Sequence, residues 1–363
     1  MYSETDLEAA VAAGALTPQA AESLRHYVAT SRATPAVDEE HFRLLTGFND
    51  IFVSIAAVIL LVAMGWIGQT IRLIPEEGAP SPFAGLFVAA AAWGLAEFFT
   101  RKRRMALPSI ILLLAFVGGV FVAALGVVAT VIPEDALNDN ATLVGLIVAG
   151  CAALAAAGAW LHWRRFRVPI TIAAGAAAVV GVVLALIASA VGDVNNLEEI
   201  MLAFALVLGV GVFLFAMWWD ASDPRRETRR SDVAFWLHLL SAPLIVHPVF
   251  ALLGLTEGTA TTGEALVVVL LYVALGVTAL AIDRRALLVS ALAYVLYALS
   301  SLFDRYGAVE LSFALTALVI GSALLLLSAF WHTARRGVVM PLPANLKAKL
   351  PVLDRGLSPQ PAS

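Results

Sequence analysis

The chain has 363 residues, of which 61% are hydrophobic and 14% charged, with a formal net charge of −4 and a mean hydropathy of +0.88. Soluble domains are about 45–50% apolar and about 25% charged, so a water-soluble enzyme or binding domain is excluded for most of this polymer. At roughly 20 apolar residues per helical crossing, the surplus of Ala, Val, Leu and Ile is enough for many spans.

Residues 1–47 are polar and lack the basic start and short apolar core of a cleaved signal peptide. The first apolar run is therefore expected to be an uncleaved anchor. Within this segment Thr5 can cap a short helix carrying Leu7 and Val11, with Gly14 as its stop. Thr17-Pro18 then supplies the cap and first-turn proline of a second helix carrying Ala20, Leu24 and Tyr27 or Val28. The two can close as a helical hairpin. After Thr34-Pro35, Asp38-Glu39-Glu40 suits a third helix start that runs through Phe42 and Leu45. The segment reads either as a docking module for a cytoplasmic partner or as a cover for the protein's own cytoplasmic face.

Ten apolar runs follow, at about 51–68, 83–99, 106–132, 141–163, 168–191, 200–219, 233–255, 265–282, 286–303 and 309–331. Two kinds of connection alternate between them. One is basic: Arg101-Lys102-Arg103-Arg104; Arg164, Arg165 and Arg167; Arg225, Arg226, Arg229 and Arg230; Arg284 and Arg285; Arg335 and Arg336. The other is acidic or neutral, as in Pro75-Glu76-Glu77-Gly78, Pro133-Glu134-Asp135, Gly192-Asp193, Thr256-Glu257 and Asp304. The basic side, termini included, holds 21 of the 23 Lys and Arg residues, and only Arg72 and Arg305 lie opposite. The positive-inside rule then places both termini in the cytoplasm. Tryptophan, which favours the interface, agrees. Trp160, Trp163, Trp218, Trp219, Trp236 and Trp331 fall at cytoplasmic helix ends, Trp93 lies in the cytoplasmic half of its span, and Trp66 sits toward the outside.

The basic loops begin at 101, 164, 225, 284 and 335, which divides the chain into five helical hairpins with a repeat of roughly 60 residues. Either duplication or the tight turns of any regular bundle would produce this period. Small residues such as Gly118, Gly119, Gly145, Gly150, Ala174, Gly175, Gly209 and Gly211 mark places where helices can approach closely. Cys151 lies alone in an apolar run and reads as packing.

Ionisable residues inside spans point to function, because burying a charge in lipid is costly. Here they are scarce. Glu97 precedes Arg101 by one helical turn, as an i, i+4 ion pair would, and Asp220, Asp232 and Asp283 read as loop-proximal. The exception is the seventh run. Pro243 and Pro248 each remove a backbone donor, so this helix is expected to kink or unwind and leave carbonyls for a cavity. His247 stands beside that break. It is either a ligand or proton site or a neutral imidazole bonded to a freed carbonyl or to Ser241. His238 lies about 180° away on an unbroken helix, so it joins His247 only if the break rotates it. Tyr294 and Tyr297, with Ser300 and Ser301, form a stripe that lines the same cavity or packs between helices. The expected ligand-binding set is thus His247, Pro248, Pro243, Ser241, His238, Tyr294 and Tyr297. Two histidines without an acid or thiol do not make a metal site. No cofactor is indicated.

Five prolines after Arg336 predict an extended tail over 337–363, whose Lys347 and Lys349 offer about 1 kcal/mol each toward anionic lipid. There is no phosphate-binding glycine loop, no HExxH, no GxSxG and no paired catalytic carboxylates. An enzyme is therefore not expected. The basic loops are too short and divided for nucleic-acid binding, and the sequence sets no oligomeric state.

The stretch Asp6-Leu7-Glu8-Ala9-Ala10-Val11-Ala12-Ala13-Gly14-Ala15-Leu16-Thr17-Pro18-Gln19-Ala20-Ala21 resembles the start of bacterial DUF2157-type membrane proteins. That resemblance implies a short cytoplasmic helical hairpin ahead of a many-span bundle, and no activity. The expected architecture is all-α: a polytopic transmembrane helix bundle of about ten spans over 48–336, both termini cytoplasmic, with a helical N-terminal segment over 1–47. Its setting would be a bacterial cytoplasmic membrane, with the lipid bilayer as its partner. Two functions fit. One is transport or binding of a small neutral or apolar solute beside the broken seventh span. The other is a non-transporting scaffold or sensor that binds a cytoplasmic protein through residues 1–34.

Overall fold

The structure is a computed structural model that describes residues 10–24, 48–73, 80–138, 140–224, 226, 228–253, 262–305 and 311–353. Residues 1–43 and 44–363 form two units. In the first, Gly14 has φ +70° and the amides of Ala15 and Leu16 both bond back to the Ala10 carbonyl, so the first helix stops at the predicted glycine. Thr17 Oγ1 accepts from the Ala20 amide at 3.2 Å, and the next helix starts at Pro18 as predicted. Thr5, Leu7, Tyr27, Val28 and the third helix from Asp38 lie outside the described residues.

Among the described residues of the second unit every regular element is a helix. Its helices are α1 (Phe48–Thr70), α2 (Pro82–Phe99), α3 (Ala106–Val131), α4 (Glu134–Asn138), α5 (Ala141–Phe166), α6 (Ile170–Val191), α7 (Leu197–Ala221), α8 (Arg229–Leu252), α9 (Thr262–Ile282), α10 (Ala286–Arg305), α11 (Ser312–Ala329), α12 (Trp331–Val339) and α13 (Ala344–Lys347). Each of the ten predicted runs coincides with one long helix. Seven, α1 to α3 and α5 to α8, are long and apolar enough to cross a membrane. α9 carries a shorter apolar stretch, Leu266–Ile282, and α11 bends by 76° into α12 at Phe330.

The most extensive pairings join α2 with α3, α5 with α6, α7 with α8, and α9 with α10. In each pair the connection is one of the predicted basic loops. Each of these four loops contains one non-glycine residue in the left-handed region: Arg104, Arg167, Arg226 and Asp283, with φ of 53–57°. The first four basic loops of the roughly 60-residue period thus share a turn geometry. At Arg167, for example, the amide still bonds to the Trp163 carbonyl while the chain reverses toward Pro169.

Close helix approach follows the small residues unevenly. A Cβ on Gly85 of α2 would lie 2.2 Å from the Ala123 amide nitrogen of α3 and 2.4 Å from the Gly119 carbonyl, so backbone meets backbone there. Gly145 and Gly209 also sit at tight crossings, whereas Gly118, Gly150 and Gly211 face open space. Aliphatic clusters fill the remaining interior, and large apolar side chains such as Phe52, Ile59, Leu154, Val207 and Leu325 cover the outside.

Two expectations are corrected here. α8 does not unwind: it runs as continuous helix through Pro243 and Pro248. The carbonyl that loses its amide partner to Pro248 is that of Leu244, one turn earlier. Gly209 of α7 packs directly over that carbonyl, where a Cβ would come within 2.8 Å of its oxygen. The freed group is covered by protein rather than opened to a cavity. The C-terminal segment is the second correction. Residues 340–353 fold back as turns around the short α13, and the Val352 amide donates to the Pro224 carbonyl at 3.3 Å. Residues 354–363 of the predicted tail lie outside the described residues.

Candidate functional site

The loops between α7 and α8 and between α9 and α10 meet α12 in a buried cluster of charge. Asp220 ends the last full turn of α7, where the helix dipole disfavours a carboxylate. It is compensated from two sides. Arg284 Nη2 donates to Asp220 Oδ1 at 2.6 Å and Arg284 Nε to Oδ2 at 3.3 Å. His238 Nε2 donates to Asp220 Oδ2 at 2.9 Å from α8. Arg284 Nη2 also donates to the Ser231 carbonyl at 3.0 Å, tying in the start of α8. The Asp220 and Arg284 side chains are only 1% and 3% exposed.

Asp283, next along the chain from Arg284, repeats the arrangement with other partners. Arg226 Nη1 donates to Asp283 Oδ2 at 2.9 Å, and the Trp331 indole Nε1 donates to Oδ1 at 2.7 Å. Arg226 Nη2 also donates to the backbone carbonyls of Ile282 and Asp283. Arg335 Nε lies 3.7 Å from Asp283 Oδ1, while its Nη2 and Nη1 donate to the carbonyls of Pro351 and Val352 at 2.6 and 3.1 Å. Burial pushes the Asp283 carboxyl up, but the Arg226 and Arg335 charges and the Trp331 indole outweigh it and hold it below the usual carboxylate range. Asp223 accepts from the amide and hydroxyl of Thr228 and closes the turn into α8. The cluster therefore binds four separate chain segments and the C-terminal fold-back into one end of the bundle.

The predicted ligand-binding residues do not converge. His238 is fully buried in the ionic cluster, and Ser241 donates to the His238 carbonyl of its own helix at 3.0 Å. His247 is exposed on the outer face of α8, where its Nδ1 shares a 2.6 Å hydrogen bond with the Tyr294 hydroxyl of α10. Tyr294 in turn stacks on Phe250 at 4.5 Å. Pro243 is exposed and Pro248 buried; the Tyr297 side chain lies outside the described residues. A small recess at the opposite end of the bundle, lined by Arg72, Ser81, Pro82 and Thr130, includes none of these groups. No group of three or more metal-ligating side chains occurs among the described residues.

Sequence reasoning missed Asp220, Asp283, Arg226, Arg284 and Arg335 as one unit because each was assigned to a solvated loop. Trp331 was read as an interface anchor and is instead 3% exposed and bonded to Asp283. A signal was present. Asp220, Asp223, Asp232 and Asp283 are acids in or beside the basic loops, where each has an arginine near in sequence to pair with.

A second, shallower junction lies between the first two basic loops. Glu97 accepts from Arg101 at 3.2 Å, the predicted i, i+4 pair, and also from Arg165 of α5 at 2.6 and 2.9 Å. Below it, His162 is enclosed by Trp93, Phe116 and Phe166 with ring centroids 4.5–6.1 Å away, and its Nδ1 lies 3.3 Å from Thr171 Oγ1.

No family model, curated protein or solved structure matches the chain.

Proposed function

We propose that the chain is a bacterial cytoplasmic-membrane protein with ten crossings and both termini inside, acting as a non-transporting scaffold or sensor. The observation that carries this reading is the commitment of polar groups. Each described polar residue of the expected ligand site makes a hydrogen bond within the protein, and the largest charged cluster serves to join helices. The gathering of the α7–α8 and α9–α10 loops, α12 and the C-terminal fold-back at one end supports a common cytoplasmic side. The helical start with its Gly14 stop and Thr17-Pro18 restart is a separate unit from the bundle, and we assign the partner-binding role to residues 1–34.

Affinity capture with the full chain, compared with a chain lacking residues 1–34, tests the scaffold reading. A cytoplasmic protein should co-purify with the first and be lost from the second while the bundle still inserts. Absence of any co-purifying protein from the full chain would sink it.

A second reading, passage or binding of a small neutral solute beside α8, is favoured by one observation. His238 Nδ1 is fully buried and has no hydrogen-bond partner. Solute uptake into proteoliposomes that falls with His238→Ala and His247→Ala, at unchanged insertion, would favour it over the scaffold.

A further inference from the structure

The basic loops of the first two hairpins carry charge that the protein itself leaves unneutralised. Arg101, Lys102, Arg103 and Arg104 follow α2, and Arg164, Arg165 and Arg167 close α5; all seven are exposed. Against them stands one carboxylate, Glu97, whose bonds to Arg101 and to Arg165 pull the two loops side by side. Three of the remaining cations lie over aromatic faces: Arg103 5.5 Å over the Phe98 ring, Arg164 5.0 Å over the Trp160 indole and Arg167 5.9 Å over that of Trp163. Phe98 and Trp160 are themselves 44% and 56% exposed. The helices leaving these loops, α3 and α6, begin without a side-chain cap, so their positive dipole ends add to the same field.

Directly along α5 from this cationic rim come Leu161 and Leu154, both half exposed and apolar. A ligand that satisfies both zones must present a phosphate at the rim and hydrocarbon below it. A nucleic acid offers no hydrocarbon, free phosphate leaves the apolar zone unused, and an acidic peptide in water does not reach the part of α5 that lies in the bilayer. We infer that the junction of residues 101–104 and 164–167 binds the head group of an anionic phospholipid in the cytoplasmic leaflet, with Lys102, Arg103 and Arg164 as its phosphate-facing cations. In the second half of the chain Arg226, Arg284 and Arg335 are bonded to Asp220, Asp283 and backbone carbonyls, which withdraws them from such a site. The inference rests on the helices crossing a bilayer with these loops inside, not on the scaffold role.

The test uses the purified full chain in uncharged detergent, with thermal unfolding and native mass spectrometry as phosphatidylglycerol, phosphatidylcholine or inorganic phosphate is added. Phosphatidylglycerol should raise the midpoint and leave retained lipid adducts. The triple variant Lys102→Gln, Arg103→Gln, Arg164→Gln keeps the Glu97 bonds and should need roughly 100-fold more phosphatidylglycerol for the same rise, given about 1 kcal/mol per basic residue at an anionic surface. The double variant Arg229→Gln, Arg230→Gln, which removes surface charge away from the junction, should keep the retained lipid adducts that the triple variant loses. If the triple variant does not fold, Lys102→Gln alone should shift the titration about fivefold. Equal stabilisation by phosphatidylcholine, equal stabilisation by inorganic phosphate, or an unchanged titration in the variants would each overturn the site. Bilayer insertion, read separately by protease protection of the loops, would then still stand or fall by itself.

Discussion

In the hairpins over residues 82–191, arginine meets carboxylate at the surface: Glu97 is 32% exposed and its partners Arg101 and Arg165 are 54% and 41% exposed. In the hairpins over 197–305 the same kind of loop is buried, with Asp220, Asp283, Arg226 and Arg284 all at 6% exposure or less. Both regions use the same turn, with a left-handed residue at Arg104, Arg167, Arg226 or Asp283. The difference is what covers the turns. α12 and the chain returning through Pro351 and Val352 lie over the second region, and Arg335 bonds to that returning chain. Burial changes the energetics of the same pairing. An exposed pair is screened and contributes little, whereas a desolvated charge that loses its partner is strongly unfavourable.

The sharpest way to break the contrast is Asp220→Ala, which leaves Arg284 and His238 buried without their acceptor. A loss of about 3–5 kcal/mol is expected, read as a large fall in thermal midpoint in detergent. The double variant Asp220→Ala, Arg284→Met should be less damaged than the single one, because the uncompensated charge is gone. Next in size is Gly85→Leu, which forces a side chain into the Ala123 backbone and should cost about 1–3 kcal/mol or more, checked by the same unfolding curve.

Acid titration sharpens the comparison from another direction. The folded state holds the Asp283 carboxyl below its unfolded value, so its stabilising contribution is present above the unfolded pKa of about 3.9 and is lost as pH falls through the lower folded value. The thermal midpoint should therefore drop as pH falls below about 4. In Asp283→Asn that part of the dependence should be missing, although the starting midpoint is lower. The smallest effect is expected in the first region. Glu97→Gln should leave the unfolding midpoint nearly unchanged and, with only cations left at the junction, make added salt more stabilising than in the wild type, as measured between low and high ionic strength. A Glu97→Gln midpoint as low as that of Asp220→Ala would erase the distinction between the two regions.

The helical runs were legible because crossing length and apolar composition are properties of contiguous residues. The Gly14 stop, the Thr17-Pro18 restart and the Glu97–Arg101 pair were legible for the same reason, since all are local in sequence. The seventh run misled. Proline predicts a missing donor, but whether the freed carbonyl opens a cavity depends on the neighbour, and Gly209 closes over it. His238 and His247 share a face only if the break rotates them, and in the continuous helix one is bonded to α7 and the other to α10.

By itself, then, the sequence determined an all-helical chain with several membrane-crossing helices, joined alternately by basic and acidic loops, because hydropathy and charge act segment by segment. The tertiary structure decided which of those charges are buried. Asp220 and Arg284 are 64 residues apart, and Asp283 and Arg335 are 52 apart. Only the packing of α7 through α12 could turn residues that read as solvated loop ends into a dehydrated ionic clasp, since desolvation depends on what lies across space rather than along the chain.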